Sequence, residues 1–366
     1  MKNKIICSEC GRVLCEETVH EFEGSCYCQN CLSSLTTTCD CCGKRIWRHN
    51  AEGDSFTVLC HQCYQSCYTY CEDCGRLMHN DDAWYEDNSD YPYCSDCFER
   101  IRSNPIKDYN YKPEPIFYGD EPLFIGIELE IDSGGECSQN AKEILDYINK
   151  DNVYAYAKHD GSLHDGMELV FHPMNLSYCL SNINWSGLFE KIVSMGYRSH
   201  QTDTCGLHCH VNRSALGSTN DEQEEVIARI VFFVENHWNE LLKFSRRTEY
   251  NINRWASRYG ISENTKETYK NAKEKRLGRY VAVNLENYST IEFRLFRGTL
   301  KYQTFAATLQ LVDEICQTCI NMTDKELEGL SWSSFVLGIK DKPELIEYLK
   351  SKRLYVNELI EETEEL

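Results

Sequence analysis

Short segments in which apolar and polar residues alternate are frequent after residue 120, and a period of two is typical of half-buried β-strands. The predicted strands are 123–131, 153–158, 167–171, 207–211, 280–285 and 290–296, and the last two are compatible with a hairpin around 286–288. Apolar residues at helical spacing predict helices at 141–149, 185–195, 221–244 and 304–320. The last segment, 323–366, is predicted to be helical and to end in an acidic run. The sequence therefore predicts an α+β fold for this half of the chain.

Three of these strands carry polar residues two positions apart. The pairs are Glu128 with Glu130, His208 with His210, and Glu292 with Arg294. Because alternate residues of a strand point to the same face, each pair presents both polar groups on one side of its strand. Glu168 adds a carboxylate between apolar neighbours, where burial is costly unless the group is paired or bound to a metal.

Each pair is ambiguous by itself. A lone Glu-x-Glu is more often the solvated face of a sheet, Glu-x-Arg can be a pairing within one strand, and Asp160-Gly161-Ser162 is most often a turn. The combination is more specific, because carboxylate oxygens with one or two imidazoles suit Mg²⁺ or Mn²⁺. Together the residues predict one shared site for hard divalent cations.

The first hundred residues follow a different pattern, a threefold repeat of cysteines. Of the 22 cysteines, 16 precede residue 98, and Cys-x-x-Cys pairs begin at Cys7, Cys39 and Cys71, a period of 32 residues. Each pair is followed by glycine and a basic residue, and then by a second Cys-x-x-Cys pair. The twelve predicted ligands are Cys7, Cys10, Cys28, Cys31, Cys39, Cys42, Cys60, Cys63, Cys71, Cys74, Cys94 and Cys97.

Four thiolates complete the tetrahedral shell of one Zn²⁺, so the repeat predicts three closed structural zinc centres. Blocks of this size cannot build sufficient cores, and the metal supplies folding energy. The blocks resemble LIM-like or treble-clef zinc modules, which commonly bind proteins. Cys15, Cys26, Cys41 and Cys67 are left over, as free thiols or alternative ligands.

Charge limits the classes of partner. The formal net charge is −20, and residues 1–100 hold 17 acidic and 8 basic residues, so nucleic acid is an unfavourable partner and a protein is favoured. No stretch approaches the ~18 apolar residues of a membrane span. The N-terminus lacks the apolar core of a signal peptide, and the sequence predicts a cytoplasmic protein without membrane attachment.

The domain prediction follows from these patterns. Residues 1–100 contain the three zinc repeats, at about 5–34, 37–66 and 69–100. A linker rich in proline is predicted at 101–122, followed by a catalytic domain at 123–322 and a helical C-terminal extension at 323–366.

The strand motifs resemble those of the amidoligase family, relatives of glutamine synthetase and γ-glutamylcysteine ligase. The matching segments, in the family's order, are 126–130, 160–163, 166–173, 206–212 and 290–299. The resemblance implies a glutamine-synthetase-like antiparallel sheet, concave, with helices on one face. It also implies ATP and two or more Mg²⁺ or Mn²⁺ ions in the cleft. There is no GxxxxGK[ST] motif, so ATP enters only through this resemblance.

The resemblance also implies roles for single residues. It implies that the metal ligands are Glu128, Glu130, Glu168, His208 and Glu292. It implies that the catalytic residues are Arg294, Arg297 and His210, and that the nucleotide or substrate contacts are Asp160, Ser162, His210 and Arg294. His172 departs from the family, which more often has a small residue before this proline. Arg246 and Arg247, near the end of the long predicted helix, could reach substrate, but ordinary solvated charge is the favoured interpretation.

The implied activity is ATP-dependent joining of a carboxylate to an amine through an acyl phosphate, with zinc modules that bind a partner or a peptide or protein substrate. Two alternatives remain open. One is another metalloenzyme, such as a cupin-like oxygenase or a metal hydrolase, although oxygenase iron usually takes two histidines and one carboxylate. The other is a non-enzymatic adaptor built on the zinc modules.

Overall fold

A computed structural model describes residues 4–85, 89–275 and 277–355, and the chain divides into two compact units, 1–104 and 105–366. Each unit has its own apolar clusters. The acidic run at the end of the predicted extension lies outside the described residues. Within the described ranges, no helix is both long enough and apolar enough to cross a bilayer.

The first unit consists of three similar blocks in succession, each built from β-hairpins followed by a helix. Among the described residues of the third block, one bridge between Trp84 and Tyr93 takes the place of the second hairpin. The elements are β1 (Ile5–Ile6), β2 (Val13–Leu14), β3 (His20–Phe22), β4 (Ser25–Tyr27), α1 (Gln29–Leu35), β5 (Thr36–Thr38), β6 (Arg45–Trp47), β7 (Glu52–Gly53), β8 (Val58–Leu59), α2 (His61–Cys67), β9 (Tyr68–Tyr70), β10 (Leu77–His79) and α3 (Ser95–Ser103). Each block buries only a few apolar side chains, among them Leu32, Leu59 and Met78. The blocks therefore need another source of folding energy.

The second unit is a seven-stranded sheet with the strand order β11-β13-β14-β12-β15-β17-β16. All neighbours are antiparallel except β11 and β13. The strands are β11 (Ile106–Lys107), β12 (Ile125–Ile131), β13 (Ala155–Lys158), β14 (Met167–Met174), β15 (Gly206–Asn212), β16 (Val283–Asn284) and β17 (Thr290–Arg297). The helices are α4 (Ser138–Ile148), α5 (Leu176–Asn182), α6 (Trp185–Ser194), α7 (Asn220–Asn236), α8 (Trp238–Ser245), α9 (Glu249–Trp255), α10 (Thr265–Lys275), α11 (Tyr302–Asn321), α12 (Asp324–Glu328), α13 (Trp332–Gly338) and α14 (Pro343–Ser351).

One face of this sheet is apolar and is packed against helices. Ile127, Leu129 and Ile131 of β12 are at most 1% exposed. Behind the sheet, Trp185 of α6 contacts Phe171 of β14 with ring centroids 4.8 Å apart, and Phe305 of α11 at 4.3 Å. Burial of this face supplies the main hydrophobic stabilisation. The alternate residues of the same strands are thereby turned to the opposite, polar face.

The predicted helix at 221–244 is wrong in one respect, because it is two helices that meet at His237. The backbone there has φ −101° and ψ 31°, although hydrogen bonds from His237 N to Phe233 O and from Leu241 N to His237 O continue across the junction. The imidazole packs between Phe233 and Trp332, so a tertiary contact holds the bend.

Helices α5, α9 and α10 were not predicted. In α10 the described side chains that are buried belong to Thr265, Thr268 and Ala272, so the helix has almost no apolar stripe for a sequence pattern to detect. Its place is fixed instead by polar contacts, such as the hydrogen bond of 2.6 Å from Tyr269 Oη to Glu224 Oε2.

The segments on either side of the predicted catalytic domain pack on the second unit. Residues 105–122 are largely extended, but Ile106 and Lys107 pair with β13, and Ile116 N donates to His172 Nδ1 at 3.3 Å. Beyond residue 322, Trp332 Nε1 donates to Leu354 O, and Leu345 is fully buried. Both segments therefore contribute to the stability of the sheet unit.

Candidate functional site

The polar face of the sheet brings together side chains from four adjacent strands, β14, β12, β15 and β17. The strand register places Glu130 opposite Glu168, Glu128 opposite His208, and His210 opposite Glu292. Directly opposed residues of antiparallel strands share one face of the sheet. All five residues predicted as metal ligands, together with His210, therefore lie on one face.

Distances within this group are short. His208 Nδ1 lies 3.2 Å from Glu128 Oε2 and 3.7 Å from Glu292 Oε1, and His208 Nε2 lies 3.7 Å from Glu130 Oε1. His210 Nε2 lies 3.1 Å from Glu128 Oε1 and 3.8 Å from Glu292 Oε1. Glu128, His210 and Glu292 each offer one ligand atom, and these three atoms lie within 4.8 Å of one another. This spacing allows one cation to bind all three.

Burial and mutual repulsion perturb the carboxylates. Burial raises the pKa of Glu130, and burial together with the charges of Glu128 and Glu130 raises the pKa of Glu168. Burial also opposes ionisation of Glu128, but His210 and His208 outweigh it and hold its pKa low. Burial would lower the pKa of His210, yet Glu128 and Glu292 raise it to about 9. The electrostatics of the cluster thus favour added positive charge.

The donor set fits a hard divalent ion. Four carboxylates and two imidazoles suit Mg²⁺ or Mn²⁺ better than a soft metal. His210 Nε2 is buried and has no hydrogen-bond partner among the described residues, although Glu128 is close. Once a cation displaces its proton, this nitrogen can serve as a ligand without loss of another hydrogen bond.

Cationic side chains surround the carboxylates. The Arg294 guanidinium pairs with Glu292 and lies over the Tyr280 ring at 5.7 Å. Lys158 Nζ is 4.0 Å from Glu168 Oε2, and the lysine is 7% exposed. Arg247 is 8% exposed and donates from Nη2 to Phe296 O at 3.1 Å. On Arg247 and Arg294, Nε is buried without a hydrogen-bond partner among the described residues, so both have a free donor.

A cleft of about 570 Å³ opens over this face of the sheet. Its lining includes the four carboxylates, both histidines and the cations Lys112, Lys158, Arg247, Arg279 and Arg294. Asp160 and Ser162 line the cleft as well, with Ser162 N donating to Asp160 Oδ1 at 2.8 Å. The volume suits a small-molecule ligand.

Asp132, just after β12, positions the loop that carries Asp160 and Ser162. Its carboxylate accepts hydrogen bonds from Ser133 N, Asp165 N, His164 N and Thr204 Oγ1 at 2.7, 2.8, 3.1 and 2.8 Å. Burial opposes ionisation, but these donors outweigh it and lower the pKa of Asp132. One buried carboxylate thus connects two loops at the edge of the cleft.

Arg297 is the predicted site residue that is not brought to the cleft. Its Nη2 donates to Thr202 O at 3.3 Å, and it is absent from the cleft lining. A β-bulge lies between the pairs Leu207–Phe296 and Cys209–Phe293, so side chains on either side of it do not continue a simple alternation. His172 also lies outside the lining, buried beneath the 105–122 segment.

Other residues of the cleft were missed. The interpretation of Arg247 as a solvated charge was wrong, because the side chain is buried and lines the cleft. Lys158 and Asn284 also line the cleft and were not predicted as site residues. Asn284 Nδ2 donates to Glu292 Oε2 at 2.8 Å. The sequence contained a signal for Lys158, because this residue ends a predicted strand on the same face as Tyr156. The local sequence around Arg247 contains no pattern that predicts its burial at the cleft.

In the first unit, the three predicted cysteine quartets are each assembled in space. The first two cysteines of each come from a tight turn, in which Gly11, Gly43 and Gly75 have φ of +70°, +71° and +67°. The third is the residue before α1, α2 or α3, and the fourth lies in the helix's first turn. The positive φ explains the glycine that follows each first pair.

The sulfur spacing fits zinc. Cys10–Cys28, Cys42–Cys60 and Cys74–Cys94 have Sγ atoms 3.9, 3.9 and 3.8 Å apart. Zn–S bonds of ~2.3 Å at tetrahedral angles place sulfurs about 3.8 Å apart. The backbone N–H of Cys10 lowers the pKa of the Cys7 thiol to about 6. Burial opposes the same change at Cys39 and Cys71, but backbone donors lower each pKa to about 6.

No curated protein matches the sequence. Among solved structures, the crystal structure of a bifunctional glutathione synthetase from Pasteurella multocida aligns with a TM-score of 0.35 and 13% identity. The alignment covers 63% of this chain and 46% of that one, so this chain spans about half the length of the synthetase.

A family model described as "putative amidoligase enzyme" matches residues 144–316. The match contains Glu168, His208, His210, Glu292 and Arg294, and it begins after Glu128 and Glu130, which join the group through the pairing of β12 with β14 and β15. The resemblance predicted from the strand motifs is thereby confirmed at residues 144–316, which match the model of a putative amidoligase family.

Proposed function

We propose that this protein is an ATP-dependent ligase that joins a carboxylate to an amine. The observation that carries the proposal is the convergence in one cleft of Glu128, Glu130, Glu168, Glu292, His208 and His210, the last four of which lie within the residues that match the amidoligase model. The proposed fold class is that of glutamine synthetase. The antiparallel core of the sheet, with one helix-covered apolar face and one polar face, supports it.

Two groups of ligands are proposed for the divalent ions. Glu128, His210 and Glu292 would hold one ion, and Glu130, Glu168 and His208 would contribute to a second. Bound Mg²⁺ or Mn²⁺ would neutralise phosphate oxygens of ATP. The proposal changes the predicted role of His210 from catalytic candidate and nucleotide or substrate contact to metal ligand. Its Nε2 lies 3.1 Å from Glu128 Oε1 and has no hydrogen-bond partner among the described residues.

The proposed chemistry proceeds in two displacements. An oxygen of the substrate carboxylate attacks the terminal phosphorus of ATP, the bond to the bridging oxygen breaks, and ADP leaves. The amine nitrogen then attacks the acyl carbon, phosphate leaves, and the nitrogen gives up a proton. Phosphoryl transfer of this kind depends on alignment and charge neutralisation, so a side-chain nucleophile is not required.

The chain's own cations perform the alignment. Arg294 is held by Glu292 and Tyr280, which orients its guanidinium for phosphoryl oxygens. Arg247 lines the cleft, is fixed by a hydrogen bond to Phe296 O and retains an Nε donor without a partner among the described residues. Lys158 is positioned beside Glu168, where it can bind an anionic substrate group. Asp160 and Ser162 are proposed to contact nucleotide or substrate at the cleft edge.

A turnover assay with the full chain tests the proposal. Mg²⁺, ATP and a panel of carboxylates and amines are incubated with the wild type, with Glu128→Gln and with Glu225→Gln. Glu225 is an exposed carboxylate of α7, paired with Arg229, and serves as the matched control. We expect ADP and a product that has lost one water for the wild type and Glu225→Gln, and neither for Glu128→Gln.

Manganese binding makes the test independent of the substrate chosen. Titration of the wild type with Mn²⁺ should reveal at least two ions that Glu225→Gln retains. A protein that binds no Mn²⁺ in the second unit would contradict the ligase and favour the adaptor. Turnover without ADP formation would favour a metalloenzyme of another class.

A further inference from the structure

The middle zinc block contains a second cluster of thiols beside its closed centre. The Sγ atoms of Cys41, Cys63 and Cys67 lie within 4.8 Å of one another. Cys63 is also one of the four sulfurs of the closed centre, so the two clusters share it. Cys41 is exposed and Cys67 is half-buried, so ions in solution can reach the group.

Local structure explains how the three sulfurs meet. Cys41 sits in the tight turn between Cys39 and Cys42. Cys63 and Cys67 are four residues apart on α2, so their side chains lie on the same side of the helix, one turn apart. Ser66 Oγ lies 3.6 Å from Cys67 Sγ and provides a polar neighbour for the sulfur.

The other two blocks provide an internal comparison, because they share the scaffold but not these cysteines. The positions equivalent to Cys41 and Cys67 are Glu9 and Leu35 in the first block. In the third block they are Asp73 and Ile101, and Asp73 pairs with Arg100. The repeat therefore does not require sulfur at either position, and the two cysteines occur together on facing elements of one block.

We propose that Cys41, Cys63 and Cys67 form a binding site for a fourth soft metal ion, with Cys63 bridging this ion and the zinc of the closed centre. Thiolates select soft cations such as Zn²⁺ or Cu⁺. For three sulfurs around one ion at M–S distances of ~2.3 Å, the sulfurs are about 4 Å apart, which small side-chain adjustments can reach here. Three protein ligands leave a coordination position open, so this ion is exchangeable, unlike the ions of the closed centres.

Native mass spectrometry of the full, reduced chain saturated with Cd²⁺ tests the proposal. Cd²⁺ serves as the probe because it is a soft ion that binds thiolates and is counted by mass. We expect four cadmium ions bound to thiols in the wild type and three in Cys41→Ser and in Cys67→Ser. The matched control is Cys15→Ser, whose exposed thiol contacts Thr18 Oγ1 in the first block, and it should retain four.

Several results would overturn the fourth site. They are three ions in the saturated wild type, four ions retained in both Cys41→Ser and Cys67→Ser, or loss of an ion in Cys15→Ser as well. If Cys41→Ser and Cys67→Ser each bound fewer than three ions, Cys41 and Cys67 would be ligands of the closed centre instead. Three bound ions in the wild type, together with a Cys41–Cys67 disulfide that persists under reducing conditions, would also reject the fourth site. A weak chelator should remove the fourth ion first, and simultaneous loss of all four would contradict the open position.

Discussion

Glu130 of β12 and Glu168 of β14 are directly opposite each other in the antiparallel register, and both side chains are buried on the polar face of the sheet. Like charges directly opposed across strands destabilise a sheet. The nearby Lys158 Nζ, 4.0 Å from Glu168, offsets only part of this repulsion. The pair thus lowers the stability of the metal-free protein.

The first prediction concerns how this charge repulsion changes the free energy of unfolding with and without bound cations. Glu168→Gln keeps the side chain's shape and removes one of the facing charges. In metal-free protein we expect it to raise the free energy of unfolding of the second unit by about 1 kcal/mol. With saturating Mg²⁺ or Mn²⁺ it should instead lower that free energy. Urea unfolding in both conditions measures the change, with Glu225→Gln as a neutral control. The same sign in both conditions would exclude Glu168 from cation binding.

The second prediction concerns the carboxylates that face His210. Glu128→Gln and Glu292→Gln should each weaken Mn²⁺ binding by at least ~100-fold and abolish turnover, because each removes a proposed ligand. Zinc content should stay at the wild-type value, since the cysteine centres lie in the other unit. Mn²⁺ titration and metal analysis measure both quantities. Near-normal activity in both variants would remove these residues as ligands.

The third prediction compares two arginines of one strand. Arg294 lines the cleft beside Glu292, whereas Arg297 donates to Thr202 O outside it. We expect Arg294→Lys to lower kcat by about 100-fold, because a forked, charged donor set is lost. Arg297→Lys should change kcat by less than about threefold, since its structural contact needs one donor. Equal losses would show that Arg297 reaches the reacting groups.

The fourth prediction concerns Asp132, which accepts four hydrogen bonds. Asp132→Ala leaves those donors without their acceptor and should lower the free energy of unfolding by about 3 kcal/mol. Asp146→Ala, on the exposed face of α4, should change it by less than about 0.5 kcal/mol. Denaturant unfolding measures both. An unchanged free energy of unfolding in Asp132→Ala would mean that other contacts hold the 159–166 loop.

The fifth prediction separates the two units. A zinc-selective chelator in excess Mg²⁺ should unfold residues 1–104, because each block has too small a core to fold without metal. The sheet unit should persist as a protease-resistant fragment that begins near residue 105, at the boundary between the units. We expect the chelated protein to hydrolyse ATP but to use its acceptor poorly, if the zinc blocks recognise that acceptor. Unchanged acceptor use would reject this role.

The candidate site was largely predictable because its signals are local. A period of two on a strand fixes which residues share a face, so Glu128, Glu130, His208 and Glu292 were predicted as site residues without knowledge of the strand order. The 286–288 turn correctly indicated the pairing of β16 with β17. Boundaries were less accurate, as in the helix that bends at His237, because the contact with Trp332 that holds the bend joins distant parts of the chain.

The sequence by itself determined the cysteine quartets, the alternating polar positions and the resemblance to the amidoligase family, since each depends on motifs of residues close together in the chain. Only the tertiary structure decided which strands are neighbours, and so placed Glu168 opposite Glu130. It also decided that Arg247, which follows α8, is buried at the cleft while Arg297 is not. The physical reason is that burial and charge pairing depend on packing between segments far apart in sequence, which spacing along one segment does not encode.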